Sequence, residues 1–213
     1  MYLPPQFAAQ DEAIARELMC AHPLAQLVSV DDDGLPFITP IPLHVLEDAG
    51  GLTLLGHVAR PNPHARLLRE RPKAVVVFQG PQAYMTPRVY PDLVRVPTWS
   101  YLAVHATVQA HIIESFDDKD RLLKHLIHVH DPAYADQWRA LGEDYQHKMM
   151  AGIVAFELRV ESLQCKVKLN QHRPESHAAL YATYAGGNAD ERALARWMQR
   201  LGMVGATNAA GTA

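Results

Sequence analysis

Leu24-Ala25-Gln26-Leu27-Val28-Ser29-Val30, Asp31-Asp32-Asp33-Gly34 and Leu35-Pro36-Phe37-Ile38-Thr39-Pro40-Ile41-Pro42-Leu43 follow one another, and this stretch decides the fold class. The outer runs are rich in apolar and β-branched residues. The four residues between them accept the positive φ that tight turns need, so the runs read as the arms of an antiparallel hairpin. Antiparallel arms need only a turn, whereas parallel strands need a crossover of a dozen residues or more.

Upstream, Asp11 to Ala21 carries Ile14, Leu18 and Met19 at helical spacing, and Pro23 stops it. Downstream, Gly50-Gly51 is a second turn leading into Leu52-Thr53-Leu54-Leu55. Ala74-Val75-Val76-Val77-Phe78 is continuously apolar, which predicts a central strand without a wet face. Gly80 to Pro97 reads as a proline-punctuated loop, and Ser100 to Ile113 alternates over a length that suits a strand bending around a barrel. Asp117 to Val129 is helical, with Leu122, Leu123, Leu126 and Ile127 as its apolar face, and a second helical piece spans about Ala133 to Tyr145. Ile153 to Val160 returns to strand, Ala189 to Leu201 is a short amphipathic helix, and Gly205 to Ala213 is small and polar enough to fray.

Strands joined by turns, with one short helix inside the run and others at the ends, predict a mainly β fold: an antiparallel split or closed β-barrel with flanking helices. GxGxxG is absent, which argues against a parallel dinucleotide-binding sheet. The expected organisation is a barrel domain over 1–173 with a helical insertion at about 117–145. A C-terminal helical tail, 174–213, is expected to pack on the barrel.

Composition narrows the classes further. The 213 residues suffice for a sizeable core, and 48% are apolar without a run long enough to cross a bilayer, so no membrane role is expected. Met1-Tyr2-Leu3-Pro4-Pro5 lacks a basic region followed by an apolar stretch, which makes the cytoplasm the expected location. Cys20 and Cys165 have neither CxxC nor zinc spacing, so a disulfide framework and a structural metal are not indicated. A net charge of −3 argues against a strongly basic nucleic-acid surface, and no segment reads as a helix-turn-helix.

Chemistry concentrates first in Gly56-His57-Val58-Ala59-Arg60-Pro61-Asn62-Pro63-His64. Asn62 reads as an N-cap and Pro63 as the first helical residue, with Pro72 ending the helix. Free amides of that first turn, with Arg60 beside them, predict a seat for the phosphate of a small cofactor. A solvated Arg60 beside an ordinary capped helix is the other reading, and this segment alone does not choose.

Three further clusters carry hydrogen-bonding and aromatic groups. Phe78 to Pro87 offers Gln79, Tyr84 and Thr86; Val96 to Tyr101 offers Thr98, Trp99, Ser100 and Tyr101; Lys166 to Arg173 offers Lys168 and Gln171. Each alone fits a strand-edge aromatic or a solvated loop. Together they supply the cation, flat apolar surface and polar donors that an aromatic phosphorylated ligand needs. His125, His128 and His130 lie near a helix end without a cysteine or clear carboxylate to complete a tetrahedral set, so no metal is expected.

Gly56-His57, Ala59-Arg60, Asn62-Pro63, Gly80-Pro81, Ala83-Tyr84, Val96-Pro97-Thr98-Trp99, Lys168-Leu169 and Gln171 also occur in a familiar order. With Met1-Tyr2, Pro4 and Phe7, the chain resembles the PaiB-like, FMN-binding negative transcriptional regulators as far as about residue 173. The resemblance implies an FMN-binding split barrel related to pyridoxamine-phosphate-oxidase-like flavoproteins, dimeric, with flavin near the subunit interface. It implies that Arg60 and Asn62 take the phosphate, that His57 lies near the ribityl chain or ring, and that backbone groups from Thr39 to Leu43 face the ring edge. Gln79, Tyr84, Thr86, Thr98, Trp99, Ser100, Tyr101, Lys168 and Gln171 are the implied ring-side set, some reaching the partner subunit.

The chain departs from the family pattern at Val89, Ser100, Asn170 and His172, where Trp, Asn, Ser and Asn are usual. The alternative function is a flavin-dependent oxidoreductase, a flavin reductase or oxidase-like enzyme, with Tyr84, His57 and His105 as its proton-handling candidates. A ligand-storage dimer is the third. A DNA or other regulatory partner is implied by the resemblance, and no element reads as entering a DNA groove.

Overall fold

Asp31 builds the turn on which the first hairpin depends: its Oδ1 accepts from the amides of Asp33 at 3.0 Å and Leu35 at 2.8 Å, and Gly34 takes φ of 79°. In the computed structural model, which describes residues 1–48, 50–92 and 94–205, β1 (Leu24–Val30) and β2 (Pro36–Pro42) pair antiparallel with Val28 opposite Ile38. Residues 206–213, most of the segment expected to fray, lie outside the described residues. Helix α1 (Glu12–Ala21) precedes the hairpin, with the Asp11 carboxylate accepting from the Ala13 amide.

A second hairpin, β3 (His44–Asp48) with β4 (Gly51–Ala59), turns at Gly50 and Gly51, the latter at φ 111°. The remaining elements are α2 (His64–Glu70), β5 (Lys73–Met85), β6 (Thr98–Ile113), α3 (Phe116–His130), α4 (Tyr134–Ala140), α5 (Glu143–Ala151), β7 (Ile153–Lys168), α6 (His177–Ala185) and α7 (Ala189–Arg200). The strands form one seven-stranded antiparallel sheet, ordered β2-β1-β5-β6-β7-β4-β3, with helices flanking it.

Several expectations need correction. Strand β5 is central, between β1 and β6, but its faces alternate, and Val75 is 38% exposed; an apolar run here does not mean two buried faces. The strand also continues to Met85 through Gly80 and Pro81, where a loop was expected, because proline's fixed φ is compatible with extended backbone. The single helical piece expected at 133–145 is two helices, broken at Leu141-Gly142, with Gly142 as the N-cap of α5. Strand β7 runs eight residues past Val160, so Lys166 and Lys168 belong to it.

Strand β3 and helix α6 carry no clear periodic signature in the sequence. Strand β3 is short and is separated from β2 only by Leu43, whose amide donates to Pro23 O at 2.9 Å. Helix α6 is alanine-rich and apolar on most sides, so it lacks an amphipathic stripe. Helix α7 is closed by a capping box, in which the Asn188 side chain and Glu191 bond each other's backbone amides.

The chain divides into two compact units: residues 1–15, 79–103 and 164–213, and residues 16–78 and 104–163. The core of the first includes Met85, Leu102, Leu169, Leu180, Tyr184 and Met198, and that of the second Leu27, Leu54, Phe78, Val104, Phe156 and Leu158, all at most 1% exposed. Each such side chain contributes about 1.5–3 kcal/mol by leaving water. Gly56 is closely packed in the second unit: a Cβ there would lie 2.5 Å from Leu43 Cδ2 and 3.2 Å from Phe156 Cε2, so the buried Leu43 side chain would have to move.

Candidate functional site

In the second unit, β4 ends at Ala59 and the chain turns through Arg60-Pro61-Asn62-Pro63 into α2. The helix is assigned from His64, but Pro63 already has helical angles, φ −53° and ψ −28°. Asn62 does the capping, its Oδ1 accepting from the His64 amide at 2.9 Å. The other amides are also taken. Arg60 donates to Gly152 O and Asn62 to Ala59 O, Ala65 donates to Asn62 O, and Arg66 and Leu67 donate to Pro63 O, all at 2.9–3.0 Å. Pro61 and Pro63 have no amide to give. The free backbone donors expected of a phosphate seat are therefore absent from residues 60–67, and any anion here must be held by side chains.

Arg60 is the side chain placed to do so. Its Nε donates to Ala151 O at 2.6 Å and its Nη2 reaches Ile153 O at 3.5 Å, which fixes the guanidinium while leaving Nη1 open. Among the described residues no carboxylate pairs with it. Its neighbours are compensated: Arg66 pairs with Asp32 and Glu70, Arg69 with Glu114, and Arg71 with Asp32. Arg60 and Asn62 share a concavity of about 550 Å³ with Arg66 and Arg69.

Behind this turn lies a partly buried polar set. Thr39 Oγ1 and His64 Nδ1 are 2.7 Å apart, and Asn62 Nδ2 approaches Thr39 Oγ1 at 3.5 Å. His64 is fully buried with its ring edge-on to Phe37, and burial lowers its pKa to about 4, so the imidazole is neutral at pH 7. His64 Nε2 and His57 Nδ1 are both buried without a hydrogen-bond partner. Burial lowers the His57 pKa as well. Neither histidine lines the concavity around Arg60, so their unpartnered nitrogens are internal to the protein while Arg60 faces the cavity.

In the first unit, Thr98, Trp99, Ser100 and Lys168 line one groove of about 560 Å³. Lys168 Nζ donates to Thr98 Oγ1 at 2.5 Å, and burial holds its pKa below the usual lysine value. Trp99 is half-exposed and lies edge-to-face with Tyr84, ring centroids 6.3 Å apart. Ser100 is buried and accepts from Tyr184 Oη at 2.8 Å, and Tyr101 lies beneath the ammonium of Lys168.

Other expected ring-side residues are engaged locally. Gln171 clasps its own turn, accepting from the Leu169 amide at 2.9 Å and donating to Val167 O at 2.6 Å. Thr86 Oγ1 accepts from Arg88 N and caps a short 3-10 turn, and Gln79 is exposed on β5.

The groove also contains residues that pattern reading missed. The Arg95 guanidinium lies 5.0 Å from the Tyr90 ring centroid, Tyr90 Oη donates to Asn170 Oδ1 at 3.1 Å, and Asn170 Nδ2 donates to Ser176 Oγ at 2.8 Å. Asn170 holds φ of 65°, a left-handed conformation that asparagine tolerates. That tolerance is the one signal the sequence offered.

Two of the three clustered histidines meet a fourth, His44, in the second unit. His130 Nε2 lies 3.2 Å from His44 Nε2, and the His125 ring is edge-on to His44 at 6.5 Å, while His128 is exposed. Burial first, then the charges of His130, His125 and His57, lowers the His44 pKa to about 4. Among the described residues no three His, Cys, Asp or Glu side chains are grouped to hold a metal ion, and no helix is long and apolar enough to cross a membrane. Of the remaining proton-handling candidates, burial lowers the His105 pKa, and Tyr84 is half-exposed.

Comparison with known proteins gives three kinds of likeness. Residues 1–162 match the family model described as "Putative FMN-binding domain". Over 180 residues the chain is 29% identical to "Protease synthase and sporulation protein PAI 2" of Bacillus subtilis (strain 168), covering 83% of this chain and 84% of that protein. Two solved structures share the fold. One is the flavocytochrome Anf3 from Azotobacter vinelandii, with a TM-score of 0.63 and 17% identity over 76% of this chain and 69% of that one. The other is the FAD and heme binding protein from Mycobacterium smegmatis, with a TM-score of 0.62 and 21% identity over 76% and 73%.

Proposed function

This chain belongs to the PaiB-like FMN-binding domain family, and from that premise we propose that it holds the phosphate of FMN at the turn between β4 and α2. The observation that carries the proposal is Arg60, a guanidinium anchored by Ala151 O and lacking a carboxylate partner among the described residues. Asn62 shapes the turn, and the Thr39 and His64 pair braces it from behind. The strand edge from Thr39 to Leu43 is the proposed neighbour of the ring. FMN, when bound, supplies reversible redox chemistry; the chain's part is to bind and orient it.

The wider role we propose is a homodimeric negative regulator of transcription with flavin near the subunit interface. Its support is the resemblance to PaiB-like regulators, together with the B. subtilis relative named "Protease synthase and sporulation protein PAI 2". Light scattering should give twice 23.7 kDa at micromolar concentration, and a monomer would remove the dimer. A mobility shift on promoter DNA that weakens with salt would support the regulator. NAD(P)H consumption by the FMN-loaded protein, without a shift, would favour an oxidoreductase.

The phosphate contact is tested by Arg60→Ala. Loss of a charge-assisted hydrogen bond should weaken FMN binding by about 1.5–3 kcal/mol, roughly 10- to 150-fold, read by flavin fluorescence quenching. Unchanged affinity would take Arg60 out of the site.

A further inference from the structure

Helix α3 is held on the sheet by apolar contacts: Leu122 packs with Leu55 and Ala155, and Ile113, Leu123 and Leu126 close around them. Leu55 lies opposite His44 in the β3–β4 ladder, so the two side chains share the face that the helix covers. His44 is buried, whereas His130, the last residue of α3, is exposed. The apolar packing thus delivers two imidazoles 86 residues apart in the chain to one spot of the second unit, with their Nε2 atoms 3.2 Å from each other.

Two features of that contact suit a shared metal ion. Zinc–nitrogen bonds of about 2.0–2.1 Å at a tetrahedral angle set two ligand nitrogens about 3.3–3.4 Å apart, close to the separation between His44 and His130. The ring centroids are 4.7 Å apart with the planes at 79°, nearer than two imidazoles meeting end to end across the same contact, so the rings bend about it instead of lying collinear. Ligands of one tetrahedral ion bend in this way. The protonation state agrees, because coordination needs a neutral imidazole, and burial together with the charges of His130, His125 and His57 keeps His44 neutral at pH 7.

We infer that His44 and His130 form a two-histidine site for a tetrahedral divalent ion of the zinc type, bound through both Nε2 atoms. The proton that lies between the rings in the free protein moves to Nδ1 of the same imidazole, so both remain neutral ligands. His125, its ring 6.5 Å from that of His44, stays outside the pair, and water completes the coordination from the exposed side at His130. A cluster read only along the helix lacks its second ligand, which β3 supplies. The site uses neither the Arg60 turn nor the Lys168 groove.

Isothermal titration of the full chain with Zn(II) at neutral pH tests this. The tightest site should saturate at micromolar Zn(II) with one ion per chain. His44→Gln and His130→Gln should each weaken it at least tenfold, and His130, being exposed, can be replaced without disturbing the core. His128→Gln, also exposed on α3, should leave the affinity unchanged. Co(II) in place of Zn(II) should give the intense visible bands of a four-coordinate centre in the wild type, and His130→Gln should lose them. Absence of saturation at submillimolar Zn(II), a tightest site that survives His130→Gln, an equal loss in His128→Gln, or the weak bands of six-coordinate Co(II) would overturn the inference.

Discussion

The turn between β4 and α2 and the groove of the first unit are both basic, but they deploy their donors in opposite ways. In the turn, each amide from Arg60 to Leu67 is bonded within the protein, and the arginines beside Arg60 are matched by Asp32, Glu70 and Glu114. In the groove, donors belong to side chains on β7 and the loop before β6: Lys168 spends one N–H on Thr98 Oγ1, and Arg95 is paired with Asp92. Helix capping and anion binding compete for the same amides, so a well-capped, seven-residue helix between prolines leaves recognition to one arginine. Side chains projecting from a strand face no such competition.

Acid should separate the two regions most strongly. His44 and His64 titrate at about 4 in the folded second unit against about 6.5 when unfolded, so the unfolded chain takes up protons first as pH falls. Their contribution is intact above pH 6.5 and is lost between 6.5 and 4, at up to about 1.4 kcal/mol per pH unit for each histidine. Urea unfolding followed through that window should show this slope, and His64→Asn should flatten it. A slope unchanged in His64→Asn would contradict a buried neutral imidazole behind the turn.

Gly56→Ala should destabilise the second unit by about 1–3 kcal/mol, because Leu43 and Phe156 must move to admit the methyl group. Denaturant midpoints check this, and a loss below 0.5 kcal/mol, taken as roughly the surface-substitution scale, would mean the strands have room to shift. Asn62→Ala should cost about 1 kcal/mol of stability through the lost cap, with a smaller effect on FMN affinity than Arg60→Ala. The reverse ranking would make Asn62 a ligand contact first. Gln171→Ala should cost about 0.5–1.5 kcal/mol of stability and leave FMN affinity unchanged, since both ends of its amide are bonded to backbone. A weakened FMN titration would make Gln171 a ligand contact after all.

Much of the fold was legible where chemistry is local. Asp31 and Gly34 announced the first hairpin, and the alternation from Ser100 to Ile113 announced β6, whose Leu102, Val104, Ala106 and Val108 are all buried. Strand β5 was truncated in that reading because Gly80-Pro81 carries the signature of a turn, and only its sheet neighbours hold it extended. Helix α6 was missed because an alanine-rich, mostly apolar helix has no periodic stripe. At the candidate site, Arg60 and Asn62 could be picked out, but whether the amides stayed free depended on the path of the turn. The Tyr90 and Asn170 contact joins residues 80 apart, a pairing no local pattern encodes.

The most direct test is a side-by-side measurement of FMN and riboflavin affinity for the wild-type chain and Arg60→Ala, since the two ligands differ only in the phosphate. FMN should bind the wild type at least tenfold tighter than riboflavin, and the variant should bring the two affinities together. Equal affinities in the wild type, or a preference for FMN that survives the loss of Arg60, would contradict the account.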